Sequence, residues 1–79
     1  MPSLDQLPIG QRARVESVRA TGTLEQRLLE MGLLEGEIIE VVGFAPLGDP
    51  MEIRLRDYRL SLRRQEAASI TVSPVPAHG

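Results

Sequence analysis

A chain of 79 residues that contains no cysteine must fold around one small core without covalent cross-links. A domain of this size buries only about 60% of the surface that its unfolded chain exposes, which leaves little room for a deep cleft. The missing cysteines also exclude disulfides, thiolate metal ligands, iron–sulfur clusters and thiol catalysis. The sequence therefore predicts a single domain of modest stability.

The composition is typical of a soluble globular domain, with 42% hydrophobic and 25% charged residues. Phe44 and Tyr58 are the only aromatic residues, and the formal net charge is -2. Few stacking platforms and a negative charge disfavour nucleic-acid binding. No stretch approaches the roughly 20 apolar residues that cross a bilayer, and the N-terminus lacks the pattern of a secretory signal. A cytoplasmic location without membrane insertion is expected.

Alternation of apolar and polar residues predicts several short strands. Ala13 and Val15 alternate with charged neighbours, and a slip in the alternation at residues 17–18 predicts a β-bulge. Residues 37–44 are rich in Ile and Val and predict a central strand. Ile70 begins a last short strand, which follows a helical turn over residues 64–69.

The strongest strand signal is a hairpin between residues 51 and 62. A chain reversal at residues 56–57 would align the apolar residues of its two strands on one face. The predicted pairs are Leu55 with Tyr58, Ile53 with Leu60, and Met51 with Leu62. Asp57 is predicted at the turn position of positive φ, which aspartate tolerates better than most residues.

One helix is predicted from Thr23 to Leu33, beginning with a capping box of Thr23 and Gln26. Gly32 suits the left-handed position that follows a helix, so that Leu33 returns onto Leu28 in a Schellman motif. The apolar stripe of this helix consists of Leu24, Leu28 and Met31. A second capping box, of Ser3 and Gln6, predicts a short N-terminal turn.

These elements predict a mainly β fold: a small barrel of about five strands, with one short α-helix inserted after the first strand. Closure of the barrel is expected because it removes exposed sheet edges. The domain is predicted to span residues 1–73, and residues 74–79, which contain two prolines, are predicted to form a flexible tail.

Three segments, in this order and spacing, resemble the FeoA family: RLLEMGLLEG (27–36), APLGDP (45–50) and LSLRRQEAASITV (60–72). The resemblance extends from Leu4 to Val72, and one departure is Asp57, where the family commonly has glycine. It implies an SH3-like barrel in the cytoplasm that supports the ferrous-iron transporter FeoB and its GTPase domain. The same domain type follows a helix-turn-helix region in metal-dependent repressors, and this chain lacks such a region.

The leading functional hypothesis is therefore a non-catalytic accessory protein of bacterial ferrous iron uptake, which binds and regulates the cytosolic part of FeoB. The alternative is a metal- or peptide-sensing regulatory module, and weak self-association is left open. No motif pairs a nucleophile with a base, no glycine-rich phosphate loop is present, and the only histidine, His78, is near the C-terminus. No catalytic, cofactor-binding or metal-binding residue is predicted.

The candidate partner-binding residues come from three parts of the chain. The end of the helix offers apolar side chains, the proline-rich loop offers a restricted backbone, and the hairpin offers opposed arginines that suit an acidic patch on a partner. Glu40 is expected to offset the repulsion between these arginines. The candidates are Leu29, Leu33 and Leu34 at the helix end, Phe44, Pro46, Leu47 and Asp49 in or beside the loop, and Arg54 and Arg59 on the hairpin.

Overall fold

The protein is described here by a computed structural model of residues 1–76. Five strands form one antiparallel sheet, as the apolar alternation predicts. The strands are β1 (Arg12–Val18), β2 (Ile38–Phe44), β3 (Met51–Leu55), β4 (Tyr58–Leu62) and β5 (Ile70–Val75). Their order across the sheet is β4-β3-β2-β1-β5, so that β4 and β5 are the outer strands.

The sheet coils around a core to which all five strands contribute. Two register shifts mark the irregularities that bend a sheet: one in β1 between Val15 and Ser17, just before the bulge predicted at residues 17–18, and one in β2 between Val41 and Gly43. The N-terminal 3-10 turn, Leu4–Gln6, adds the buried Leu4. The fully buried strand side chains are Ala13, Val41, Met51, Ile53, Leu62, Ile70 and Val72.

The first helix, α1 (Gly22–Glu30), follows β1 as predicted but begins one residue earlier than expected. Thr21 is therefore the N-cap residue, and Thr23 lies inside the first turn. The predicted capping box of Thr23 and Gln26 is wrong, because such a box needs its hydroxyl residue at the N-cap position. The box of Ser3 and Gln6 is present, with the Ser3 amide donating to Gln6 Oε1 at 3.0 Å.

The Schellman motif at the end of α1 is confirmed. Leu33 N donates to Leu28 O at 3.1 Å, Gly32 N donates to Leu29 O at 3.0 Å, and Gly32 has a φ of 95°. The motif turns Leu33 inward, and both Leu33 and Leu28 have an exposed fraction of 0%. The prediction that Leu33 belongs to a partner-binding surface is wrong, because the helix end directs this side chain into the core.

The hairpin of β3 and β4 has the predicted register, with Leu55 opposite Tyr58 and Met51 opposite Leu62. The residue of positive φ in its turn is Arg56, at 59°, and not Asp57. The prediction for Asp57 is wrong by one position, because the first of the two turn residues adopts the left-handed conformation here.

A second short helix, α2 (Arg64–Ala67), connects β4 to β5. The last strand runs to Val75, and Pro74 and Val75 pair with Ala13 and Arg12. Residues 74 and 75 are thus part of the sheet and not of a tail, while residues 77–79, including His78, lie outside the described residues. None of the helices in residues 1–76 is long and apolar enough to span a bilayer.

Candidate interaction surface

Apart from Arg54 and Arg59 on the hairpin, the partner residues predicted from the sequence lie at the two opposite ends of β2. The strand begins after the turn that follows α1 and ends at Phe44, where the loop of residues 45–50 starts. Its seven residues extend for about 20 Å at about 3.3 Å per residue. The helix end and the proline-rich loop therefore form two separate sites.

The first site, which we call the helix-end patch, consists of Leu29, Met31, Leu34 and Tyr58. The exposed fractions of Leu29, Leu34 and Tyr58 are 41%, 47% and 40%. The Tyr58 hydroxyl donates to Met31 O at 2.7 Å, so that the start of β4 is fixed to the end of α1. Tyr58 was not among the predicted partner residues, because its predicted pairing with Leu55 pointed only to the core.

The second site is the tip of the loop, where Leu47 is 96% exposed. The loop is closed by Ala45 N, which donates to Pro50 O at 2.9 Å, and by Gly48 N, which donates to Ala45 O at 2.7 Å. Pro46 lies within this closed turn and restricts its backbone further. The loop therefore presents an apolar side chain to solvent from a backbone with little freedom to lose.

Arg64 of α2 anchors this loop to the rest of the domain. Its amide donates to Asp49 Oδ1 at 3.0 Å, and its guanidinium donates to Gly48 O at 3.3 Å and to Asp5 O at 3.1 Å. The guanidinium carbon also lies 5.2 Å from the centre of the Phe44 ring, which is half-buried. Asp49 and Phe44 thus have a structural role in holding the loop, which sequence reasoning had assigned to partner contact alone.

The hairpin arginines are paired across the sheet as predicted. Arg54 lies directly opposite Arg59. The predicted contact that offsets their repulsion is present, because Arg54 Nη1 lies 3.9 Å from Glu40 Oε1. Arg59 forms a similar ion pair with Glu52, at 3.8 Å. These long, exposed ion pairs contribute little to stability, so this face remains available to a partner.

Glu37 and Arg56 form the tightest ion pair in the described part of the chain. Arg56 Nη2 and Nε donate to the two carboxylate oxygens of Glu37 at 2.6 and 3.1 Å. This hydrogen bonding and the charge of Arg56 hold the pKa of Glu37 below its ordinary value of 4.5, while partial desolvation acts in the opposite direction. The pair joins the turn before β2 to the tip of the hairpin.

This ion pair predicts an acid-dependent loss of stability. A carboxylate whose pKa is lowered by folding stabilises the fold above its unfolded value of 4.5, and this contribution disappears as the pH falls through the folded pKa. The difference in unfolding free energy between wild type and Glu37→Gln should therefore shrink on acidification. Chemical denaturation of both proteins between about pH 3 and pH 7 measures this difference. The control is Glu35→Gln, an exposed neighbour without an ion pair in the described residues, and identical pH curves for the two variants would contradict the prediction.

A shallow basin of about 870 Å³ lies on the outer face of the sheet. Its charged lining includes Glu37, Glu40, Arg54 and Arg56, which pair with one another as described above. Within residues 1–76, no buried side-chain polar atom lacks a hydrogen-bond partner, and no group of three or more His, Asp or Glu side chains is placed to hold a metal ion.

The domain is a small antiparallel barrel that exposes a rigid apolar tip, an apolar patch and a mixed-charge face. The FeoA domain family matches residues 3–74, and the chain belongs to this family. A fusion protein of Fe(2+) transport protein A and Fe(2+) transporter FeoB from Porphyromonas gingivalis is 41% identical over 75 residues. This match covers 95% of the chain but only 9% of the fusion protein.

Solved structures of other family members share the fold. The FeoA protein of Chlorobium tepidum is 42% identical, with a TM-score of 0.87 over 94% of this chain and 70% of that one. The FeoA of Stenotrophomonas maltophilia, solved in complex with zinc and described as a prokaryotic SH3 domain protein, is 32% identical, with a TM-score of 0.81 over 92% of this chain and 91% of that one. The predicted SH3-like fold is confirmed.

Proposed function

We propose that this protein is a non-catalytic, cytoplasmic accessory protein of ferrous iron uptake that binds the cytosolic part of FeoB and regulates it. The observation that carries the proposal is the fusion of a 41% identical domain to FeoB in one chain of Porphyromonas gingivalis. Fusion keeps two domains at a high effective concentration, which benefits partners that act together.

The helix-end patch is suited to form the apolar centre of this interface. Leu29, Leu34 and Tyr58 are each 40–47% exposed, and the Schellman motif and the Tyr58 hydrogen bond fix the backbone beneath them. Apolar side chains on a rigid support lose little conformational entropy on binding. Tyrosine is also among the residues that most often dominate the energy of protein interfaces.

Leu47 supplies a second apolar contact at the other end of β2. A leucine that is 96% exposed gains no stability from its own fold, whereas insertion into a partner's pocket would bury nearly all of its side chain. The anchoring by Arg64 and Asp49 sets the direction in which this side chain points. The two sites can be tested separately because they are far apart.

The test is a titration of the labelled protein with the soluble GTPase domain of FeoB, with GDP and with a non-hydrolysable GTP analogue. Leu34→Glu and Leu47→Glu should each weaken binding by about tenfold or more, because each places a charge where an apolar contact forms. The control is Ile9→Glu, the same kind of change at a residue that is 61% exposed before β1. If all three variants fold and bind FeoB with the affinity of wild type, both sites are contradicted. Arg54 and Arg59 are then the next candidates.

A further inference from the structure

The two outer strands of the sheet differ in how their free edges are covered. The outer edge of β5 is occupied by the N-terminal segment, in which Pro2 O accepts a hydrogen bond from Val72 N at 2.9 Å and Ser3 pairs with Thr71. No such segment pairs with β4 in residues 1–76. An uncovered edge offers backbone donors and acceptors to any extended chain.

The hydrogen-bonding pattern identifies which residues of β4 face outward. Val41 exchanges hydrogen bonds of 2.9 and 2.8 Å with the segment before β1, so the backbone groups of its neighbour Glu40 face β3. Glu40 pairs with Arg54, so the backbone N–H and C=O groups of Arg54 face β2. Its neighbours in β3, Ile53 and Leu55, therefore direct their backbone groups to β4. Tyr58 and Leu60, which pair with these residues, therefore bond to β3. The alternate residues Arg59 and Ser61 direct their N–H and C=O groups away from the sheet. Within residues 1–76, no backbone group of a loop or turn bonds to them.

A groove lies beside this edge, between β4 and α1. A cavity of about 440 Å³ at its centre is lined by Ser61 of β4, Arg27 of α1, Arg63 and Glu66, with Asp49 and Pro50 of the loop at its margin. At the start of β4 the Tyr58 hydroxyl donates to Met31 O, and beyond the end of β4 Arg27 of α1 pairs with Glu66 of α2 at 2.9 Å. We call this space, which reaches the proline-rich loop at Asp49 and Pro50, the β4 groove.

The charge around the β4 groove favours an acidic occupant over a second copy of the chain. Arg63 lines the groove and Arg59 is exposed on β4 two residues before Ser61. Arg63 has no ion pair in the described residues, and Arg59 has only the 3.8 Å contact with Glu52. Pairing of two β4 strands around Ser61 would place Arg59 of each copy opposite Arg63 of the other, which is repulsive. Glutamates on an added strand would instead meet these arginines.

We propose that the β4 groove binds an extended acidic peptide, which adds to β4 as an antiparallel strand and places alternate acidic side chains beside Arg59 and Arg63. Backbone hydrogen bonds to Arg59 and Ser61 provide affinity, and the arginines provide selectivity. This inference goes beyond the proposed function, because it concerns how a peptide backbone is held, whichever protein supplies it. Binding of FeoB through the helix-end patch does not require it.

The probe is an acetylated and amidated peptide, Thr-Glu-Val-Glu-Val-Glu-Thr, titrated into the ¹⁵N-labelled full chain. The expected result is a change in the amide resonances of Arg59 and Ser61, together with slower hydrogen exchange at these two amides. A peptide with lysine in place of glutamate should produce neither effect. Unchanged exchange with the glutamate peptide would overturn the proposal. So would the same protection appearing without peptide as the protein concentration rises, since a second copy would then occupy the edge.

A matched pair of double variants separates this site from general attraction between the peptide and arginine. Arg59→Gln with Arg63→Gln removes two exposed charges at the groove, and Arg14→Gln with Arg19→Gln removes two exposed charges elsewhere. Affinity for the glutamate peptide should fall by about tenfold in the first variant and stay near that of wild type in the second. An equal loss in both variants would show that the peptide binds by net charge alone and would overturn the site.

Discussion

Replacing Leu28 by alanine is expected to lower the free energy of unfolding by about 2–5 kcal/mol, the usual cost of truncating a buried leucine. The side chain has an exposed fraction of 0% and is part of the core cluster that joins α1 to the sheet. At roughly 0.05–0.15 kcal/mol per residue, a domain of this length has a total stability of only about 4–12 kcal/mol. The variant should therefore be close to unfolding at physiological temperature.

Thermal and urea denaturation of Leu28→Ala measure this loss. The control is Leu29→Ala, which removes the same atoms from the next residue of α1, where the side chain is 41% exposed. Its cost should be much smaller, because little buried surface is lost and no closed cavity forms. If the two variants have the same midpoint, the orientation of α1 described here is incorrect.

Gly32→Ala is expected to be the second severe change, since it affects both the backbone and a side-chain contact. A φ of 95° is unfavourable for any residue with a Cβ, at a cost of about 1–2 kcal/mol. The new Cβ would also lie 2.5 Å from Tyr58 Oη and 3.1 Å from Leu55 Cδ2, which forces the tyrosine to move. The displaced tyrosine loses its hydrogen bond to Met31 O, at a further cost of about 0.5–1.5 kcal/mol.

Gly36→Ala is the matched control for this position. Gly36 has a φ of 92°, but a Cβ there would meet no atom within 4 Å. The difference in unfolding free energy between the two variants therefore isolates the clash with Tyr58 from the cost of the backbone conformation. Gly32→Ala should also displace the Tyr58 ring and so weaken FeoB binding, which Gly36→Ala should preserve. Equal destabilisation would mean that Tyr58 adjusts without cost.

The local features of this fold could be predicted because each depends on residues close in sequence. The hairpin register follows from the period-two pattern and the position of the turn, and the Schellman motif follows from Gly32 with apolar residues at fixed spacing around it. The same motif carries the information that Leu33 packs back onto the helix. Its assignment to a partner surface conflicted with that contact, and the structure places Leu33 in the core.

The roles of Asp49 and Arg64 could not be predicted, since they depend on an encounter between distant segments. The Asp49 carboxylate accepts a hydrogen bond from the Arg64 amide, and the Arg64 guanidinium reaches Asp5 O, 59 residues away in sequence. Neither residue type has a spacing that signals such a contact. A charged residue in a loop has the same appearance in sequence whether it binds a partner or anchors the loop.

The sequence by itself determined a mainly β fold of the FeoA family, because periodicity and motif spacing are recorded along the chain. Only the tertiary structure decided which exposed residues lie together. It placed Leu34 and Leu47 at opposite ends of β2 and brought Tyr58 beside the end of α1. Among residues 1–76, the N-terminal segment covers the edge of β5, and no segment covers the edge of β4. The physical reason is that an interaction surface is set by the coiling of the sheet and by which strands become its edges, and both result from packing between segments far apart in the chain.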